Sequence, residues 1–160
     1  MIAVQDNFIT QSECLYLISF YLKNKNRVKQ HEMMFPLSVY KDNYYKENDE
    51  IYSILMKAES FVKGIGVNVK TDWSNLVFWP LHSSQAFHKD KTDVETVYTS
   101  IIYLNENYRG GETCFEDGSV VSPVTGRILC FDGMKYPHAV KPIIGGSRYT
   151  LATWYKSGDE

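Results

Sequence analysis

Gln85-Ala86-Phe87-His88-Lys89-Asp90 lies among turn residues, and its reading decides the fold. Read as a strand, it puts His88 and Asp90 on one face and Lys89 on the other, because side chains alternate along an extended chain. It does not stand alone. After Lys70 the sequence breaks into short apolar or alternating runs that predict eight strands: Leu76–Trp79, Gln85–Asp90, Val97–Leu104, Glu112–Phe115, Val120–Val121, Ile128–Phe131, Ala139–Pro142 and Tyr149–Tyr155. Turn signals separate them at Asn107 to Gly111, Asp117-Gly118, Pro123 to Gly126, Asp132-Gly133 and Gly145-Gly146. Many short strands at regular spacing argue for a sandwich or barrel.

The N-terminal part has a different period. Ile2 to Val4 suit an edge strand. Thr10-Gln11-Ser12-Glu13 reads as a capping box and predicts a helix to about Lys23, with Cys14, Leu15, Leu17, Ile18, Tyr21 and Leu22 as its apolar stripe. Met33 to Tyr40 suit an extended segment placed at an edge by Pro36, and Tyr40, Tyr44 and Tyr45 read as a surface loop. Asn48 caps a second helix with Asp49 and Glu50 in its first turn; its stripe is Ile51, Ile54, Leu55, Ala58, Phe61 and Val62, and Gly64 and Gly66 stop it. Helices first and strands afterwards predict an α+β domain. Its core is a double-stranded β-helix (jelly roll, cupin-like) buttressed by two N-terminal helices. The expectation is one domain over residues 1–160, with 1–70 as helical support and 71–156 as the jelly-roll core.

A chain of 160 residues suits one domain that needs no disulfide staple. A net charge of −2 predicts no general affinity for nucleic acid or an anionic membrane. Cys14, Cys114 and Cys130 are odd in number and lack metal-finger spacing, so they read as buried thiols in a reducing compartment. The first residues carry no secretory pattern and no apolar run is long enough to span a bilayer, so a cytoplasmic location is expected.

His138 follows Asp90 by 48 residues, a gap that a jelly roll closes because distant strands become neighbours. His88, Asp90 and His138 would then offer two imidazoles and one carboxylate, the set that holds non-haem Fe(II) with positions left open. By ligand type alone zinc remains an alternative. Arg148 precedes the last strand. A buried guanidinium there needs a carboxylate, either from the protein or from a ligand.

The second half resembles the prolyl 4-hydroxylase type of 2-oxoglutarate- and Fe(II)-dependent dioxygenase. The matching text is His88-Lys89-Asp90, Ser100-Ile101-Ile102-Tyr103-Leu104-Asn105, Gly110-Gly111-Glu112-Thr113-Cys114-Phe115, Pro123-Val124-Thr125-Gly126, His138-Ala139-Val140 and Gly146-Ser147-Arg148-Tyr149, ending in Trp154-Tyr155, in the family's order over residues 76–155. The resemblance implies that His88, Asp90 and His138 ligate Fe(II), that 2-oxoglutarate chelates the metal, and that O₂ is the oxidant, with ascorbate as a candidate reductant. It implies that Arg148 pairs with the distal carboxylate of 2-oxoglutarate, helped by Tyr103 and by Thr150, and that Trp154 supports the pocket wall. Trp79 stands where many relatives carry a Tyr near the co-substrate. It offers no hydroxyl, so packing is the simpler role for it.

Hydroxylation of a peptidyl proline, with conversion of 2-oxoglutarate to succinate, is the expected activity. A free amino acid or other small-molecule substrate is the alternative, and a non-catalytic cupin-like metal or ligand binder is the rival from another class. No nucleic-acid or membrane partner is expected, and the oligomeric state is open. Relatives that repair alkylated nucleic acid typically carry a second Arg after the final-strand Arg, and Tyr149 to Tyr155 contains none. His31 and His82 read as structural, Lys89 and Lys91 as solvated, and Arg109 as part of a turn at the rim. Residues 31–47, 80–86 and 91–96 are the expected substrate loops.

Overall fold

The structure is a computed structural model that describes residues 2–90 and 96–159. In chain order its elements are β1 (Ala3–Gln5), α1 (Gln11–Lys23), β2 (Phe35–Lys41), β3 (Tyr45–Lys46), α2 (Asp49–Gly64), β4 (Val69–Trp79), β5 (Gln85–His88), β6 (Tyr98–Tyr103), β7 (Arg109–Gly110), β8 (Thr113–Phe115), β9 (Val120–Val121), β10 (Ile128–Phe131), β11 (His138–Val140), β12 (Ile143–Ile144) and β13 (Arg148–Ser157), with a single 3₁₀ turn after α1. Among the described residues the strands form a seven-stranded sheet in the order β1-β10-β6-β13-β4-β2-β3, a four-stranded sheet β5-β11-β8-β9, and the ribbon β12-β7. All the pairings are antiparallel. This is the α+β double-stranded β-helix that the strand pattern predicts.

The middle of the large sheet is buried on both faces, and that explains why β10 reads as a continuous apolar run. One face packs α1 and α2 through Leu76, Ile102, Ile128, Cys130, Leu151 and Tyr155. The other turns inward through Val77, Trp79 and Ala152 on one side of the barrel and Tyr103, Leu129 and Phe131 on the other. All four residues of β10 are buried because alternate ones serve different cores. The three cysteines are buried and free, and burial pushes the thiols of Cys14 and Cys130 up to about 11 and about 12.

Both helices start where their caps predict. Thr10 Oγ1 accepts from the Glu13 amide at 3.1 Å, the Thr10 amide donates to Glu13 Oε1 at 2.9 Å, and Asn48 Oδ1 accepts from the Ile51 amide at 2.9 Å. The stripe of α1 is narrower than expected: Cys14, Leu17 and Tyr21 are buried, whereas Leu15 and Leu22 face solvent. Only one side of α1 meets the sheet, and positions 15 and 22 lie too far round the helix to reach it.

Other boundaries shift for identifiable reasons. β4 begins at Val69, seven residues before the expected Leu76, because Thr71, Ser74 and Asn75 break the apolar pattern while being buried. Ser74 Oγ donates to the Ala152 carbonyl at 3.0 Å, and Thr71 bonds to Glu59. Tyr40 is buried in β2 and Tyr45 lies in β3, so only Tyr44 fits the expected surface loop. Pro36 does sit on an edge, since β3 covers β2 only at Tyr40 and Lys41. The two-residue strand β7 falls where a turn was expected and β12 falls between the expected Ala139–Pro142 strand and the Gly145-Gly146 turn, both being too short to show a period. Among the described residues no helix is long and apolar enough to cross a membrane.

Candidate active site

The antiparallel pair β5–β11 sets His88 directly opposite His138, with ring centroids 4.3 Å apart. Asp90 lies two residues beyond His88, just past the end of β5 rather than inside it as expected. Its amide donates to the Gly133 carbonyl at 2.9 Å, which turns the chain so that the carboxylate still meets both rings. Candidate ligand atoms of His88, Asp90 and His138 all lie within 4.8 Å of one another. Asp90 Oδ1 is 3.5 Å from His88 Nε2 and 3.3 Å from His138 Nε2.

Each ring is held by its other nitrogen. His88 Nδ1 is 2.9 Å from the Ala86 carbonyl and His138 Nδ1 is 3.0 Å from the Tyr136 carbonyl. A carbonyl only accepts, so each Nδ1 carries the proton. In the neutral ring the Nε2 lone pair then points into the cluster. This is the outer-shell arrangement that orients metal-binding imidazoles. Asp90 is held likewise: Thr99 Oγ1 donates to Oδ2 at 2.6 Å and leaves Oδ1 for the rings. A Cβ at Gly133 would stand 2.3 Å from Asp90 Oδ2, so only glycine lets this carboxylate into its seat.

In the absence of a metal, the rings and the carboxylate also act on one another's charge. Burial disfavours the Asp90 carboxylate, but hydrogen bonds from His138, His88 and Thr99 outweigh it and hold its pKa well below the usual range. Burial also works against the His88 imidazolium, yet Asp90 and the Ala86 carbonyl raise its pKa overall. Two imidazoles and a carboxylate are a donor set that suits Fe(II), which binds the rings in their neutral form.

Along the same inward face lies a second polar group. Thr113 is two residues from Phe115, whose register partner is His138, so it sits about 7 Å along the strand from the histidines. Tyr103 Oη and Thr113 Oγ1 are 2.6 Å apart, and Arg148 Nη2 donates to Thr113 Oγ1 at 3.4 Å. Thr150 is buried directly opposite Tyr103 on the next strand, on the face it shares with Arg148. Arg148 is 1% exposed, stacked 4.9 Å from the Trp79 ring centre and 5.5 Å from that of Tyr103. Among the described residues no carboxylate pairs with it, and its Nε has no partner. Burying an isolated cation costs several kcal/mol, so this pocket is built for an anion. Burial raises the Tyr103 pKa although Arg148 pulls it down, which keeps its hydroxyl a donor.

Thr113 lies in the Gly110 to Phe115 motif and Gly133 in the Asp132-Gly133 turn, but neither signal shows that these residues serve the site. Nothing local marks Thr99, and the parts of all three are set by contacts across strands. Trp79 is buried beside Arg148, and its indole N–H is unpartnered. Trp154 is half-buried in that cluster, with its ring 5.6 Å from Trp73. Lys89 is exposed, His31 and His82 lie on the surface, and Arg109 is an exposed member of β7. Lys91 and most of the 91–96 loop lie outside the described residues.

Residues 78–156 match the model of the 2OG-Fe(II) oxygenase superfamily, and the chain belongs to that superfamily. Its fold is shared with solved prolyl hydroxylases. A viral collagen prolyl hydroxylase from Paramecium bursaria Chlorella virus-1 superposes with a TM-score of 0.78 at 18% identity, covering 98% of this chain and 95% of that one. A Pseudomonas putida prolyl-4-hydroxylase gives 0.77 at 19% identity over 98% and 92%. A Trichoplax adhaerens prolyl hydroxylase, in complex with a hypoxia inducible factor oxygen degradation domain peptide fragment, gives 0.79 at 17% identity over 99% and 84%. No curated protein matches the chain in sequence. The superfamily implies Fe(II), 2-oxoglutarate and O₂, and decides for an oxygenase over a non-catalytic cupin-like binder.

Proposed function

We propose that the chain hydroxylates a C–H bond of a peptidyl proline, with His88, Asp90 and His138 holding Fe(II) and with Arg148, Tyr103 and Thr150 holding the distal carboxylate of 2-oxoglutarate. The observation that carries this reading is a His-Asp-His cluster on one sheet together with Arg148, buried without a carboxylate partner among the described residues and bonded to Thr113, which lies two residues along β8 from the register partner of His138.

The bound metal and co-substrate supply oxidising power from O₂, coupled to decarboxylation of 2-oxoglutarate to succinate. The chain's own residues orient and protect. The Ala86 and Tyr136 carbonyls keep both Nε2 atoms aimed inward. Thr99 fixes which carboxylate oxygen of Asp90 faces them. Trp79 and Tyr103 cover the guanidinium and exclude water, which strengthens its grip on an anion. Asp90 is a carboxylate, where related halogenases lack one to admit chloride, and this favours hydroxylation.

Proline as the target is supported by the likeness to prolyl hydroxylases, one of them solved with a peptide fragment. A peptide or small-molecule substrate is the coarser statement. We also read residues 1–160 as one domain, supported by the core that both helices share with the large sheet.

The test begins anaerobically: Fe(II) and then 2-oxoglutarate are added to purified protein, and the weak visible charge-transfer band of the chelate is sought. Proline-containing peptides are then screened with O₂ for a hydroxyl-mass gain matched by succinate. No band in folded, iron-loaded protein would overturn the site. A band with turnover on free amino acids but on no peptide would overturn the substrate.

A further inference from the structure

Tyr108 brings to Arg148 a hydroxyl that none of the roles above uses. It arrives on the loop between β6 and β7, which Asn105 pins by donating to Asn107 Oδ1 at 2.7 Å and the Ser147 carbonyl at 2.9 Å. Its ring and the Arg148 side chain close over the same bare backbone: a Cβ on Gly111 would stand 2.9 Å from Tyr108 Cε2 and 3.2 Å from Arg148 Cδ. Gly111 has φ +69°, so both its conformation and its missing side chain admit the pair.

The hydroxyl is buried with no partner at hydrogen-bond geometry among the described residues; Arg148 lies near enough to act on its oxygen, but an arginine cannot take up its proton. Beside it Arg148 Nε is buried and equally unpartnered, and an arginine offers only donors. Burial pushes the phenol up, with Arg148 pulling partly against it, so the group is protonated at neutral pH. Two unmet donors of this kind call for a shared acceptor.

We propose that the Tyr108 hydroxyl donates to the same carboxylate that Arg148 grips, making Tyr108 a further co-substrate-binding residue. This rests on the reading of Arg148 as the anchor for a dicarboxylate. The rival acceptor is Glu112, whose Oε1 is also buried and unpartnered and whose charge acts on Tyr108. A bond to Glu112 would serve stability and not binding.

The experiment is an anaerobic titration of Fe(II)-loaded protein with 2-oxoglutarate, read by the visible band, in wild type, Tyr108→Phe and Arg148→Met. Melting temperatures are taken without ligand. Tyr108→Phe is expected to raise the half-saturating concentration roughly tenfold or more, the factor carried by one hydrogen bond to a charged group. The band position and the melting temperature should stay where they are. Unchanged half-saturation in Tyr108→Phe, with Arg148→Met weakened, overturns the proposal and leaves the anchor standing. A lower melting temperature with unchanged half-saturation overturns it in favour of Glu112. A displaced band places the hydroxyl at the chelating end and overturns it as well. If Arg148→Met binds like wild type, the anchor reading fails and the role of Tyr108 goes with it.

Discussion

His88 and His138 face each other across the β5–β11 ladder, 50 residues apart in sequence and 4.3 Å apart between ring centres. The ladder fixes this separation, so neither ring needs a long flexible arm to reach the cluster. His138→Ala removes one of two imidazoles without touching the backbone pairing. Loss of stoichiometric Fe(II) after anaerobic gel filtration, with an unchanged far-ultraviolet spectrum, is the expected outcome. Retained iron would remove His138 from the ligand set.

Asp90 tests the outer shell. Thr99→Val removes the bond to Oδ2, and Gly133→Ala drives a methyl into the seat of the carboxylate. Losing such an orienting partner typically weakens metal affinity by about 10–100-fold. Competition with a chromophoric chelator measures this. Gly133→Ala should have the larger effect, since it displaces the ligand itself.

Arg148 links function to stability with opposite signs. In ligand-free protein its guanidinium is buried without a carboxylate among the described residues. Arg148→Met keeps much of the volume and removes the desolvated charge, so the ligand-free melting temperature should rise. The stabilisation given by added 2-oxoglutarate should vanish. Differential scanning fluorimetry with and without the co-substrate reads both.

Asp42 predicts a pH dependence far from the site. Burial disfavours its carboxylate, but Lys156 at 2.9 Å and Lys70 at 3.2 Å outweigh this and lower its pKa. A carboxylate with a depressed folded pKa contributes stability above its unfolded value of about 3.9 and loses it as pH falls through the folded value. Asp42→Asn should therefore melt lower than wild type at neutral pH. That gap should close as the pH is taken below the ordinary carboxylate range.

Thr10→Ala removes one half of the capping box of α1. A loss of about 1 kcal/mol in urea unfolding is expected. The Fe(II) and 2-oxoglutarate titrations should not move, because α1 packs on the face of the sheet opposite the site.

The elements legible in the chain are those whose signals are local. Thr10 to Glu13 and Asn48 announce both helix starts because a cap is satisfied within one turn. The eight runs after Lys70 announce strands because burial on a pleated sheet imposes a short period. His88, Asp90, His138 and Arg148 were legible as a set because the order of motifs around them is specific. The polar beginning of β4 was not, since Ser74 is buried against the Ala152 carbonyl, a partner in another strand. Nor was exposed Leu15, because apolar spacing cannot say how wide a face the sheet will cover. That Thr113 bridges Tyr103 and Arg148, that Thr99 and Gly133 seat Asp90, and that Arg148 meets no carboxylate among the described residues emerge only in the folded chain. Such facts depend on which strands become neighbours and in what register, and that is fixed by packing two sheets face to face rather than by any residue's local preference.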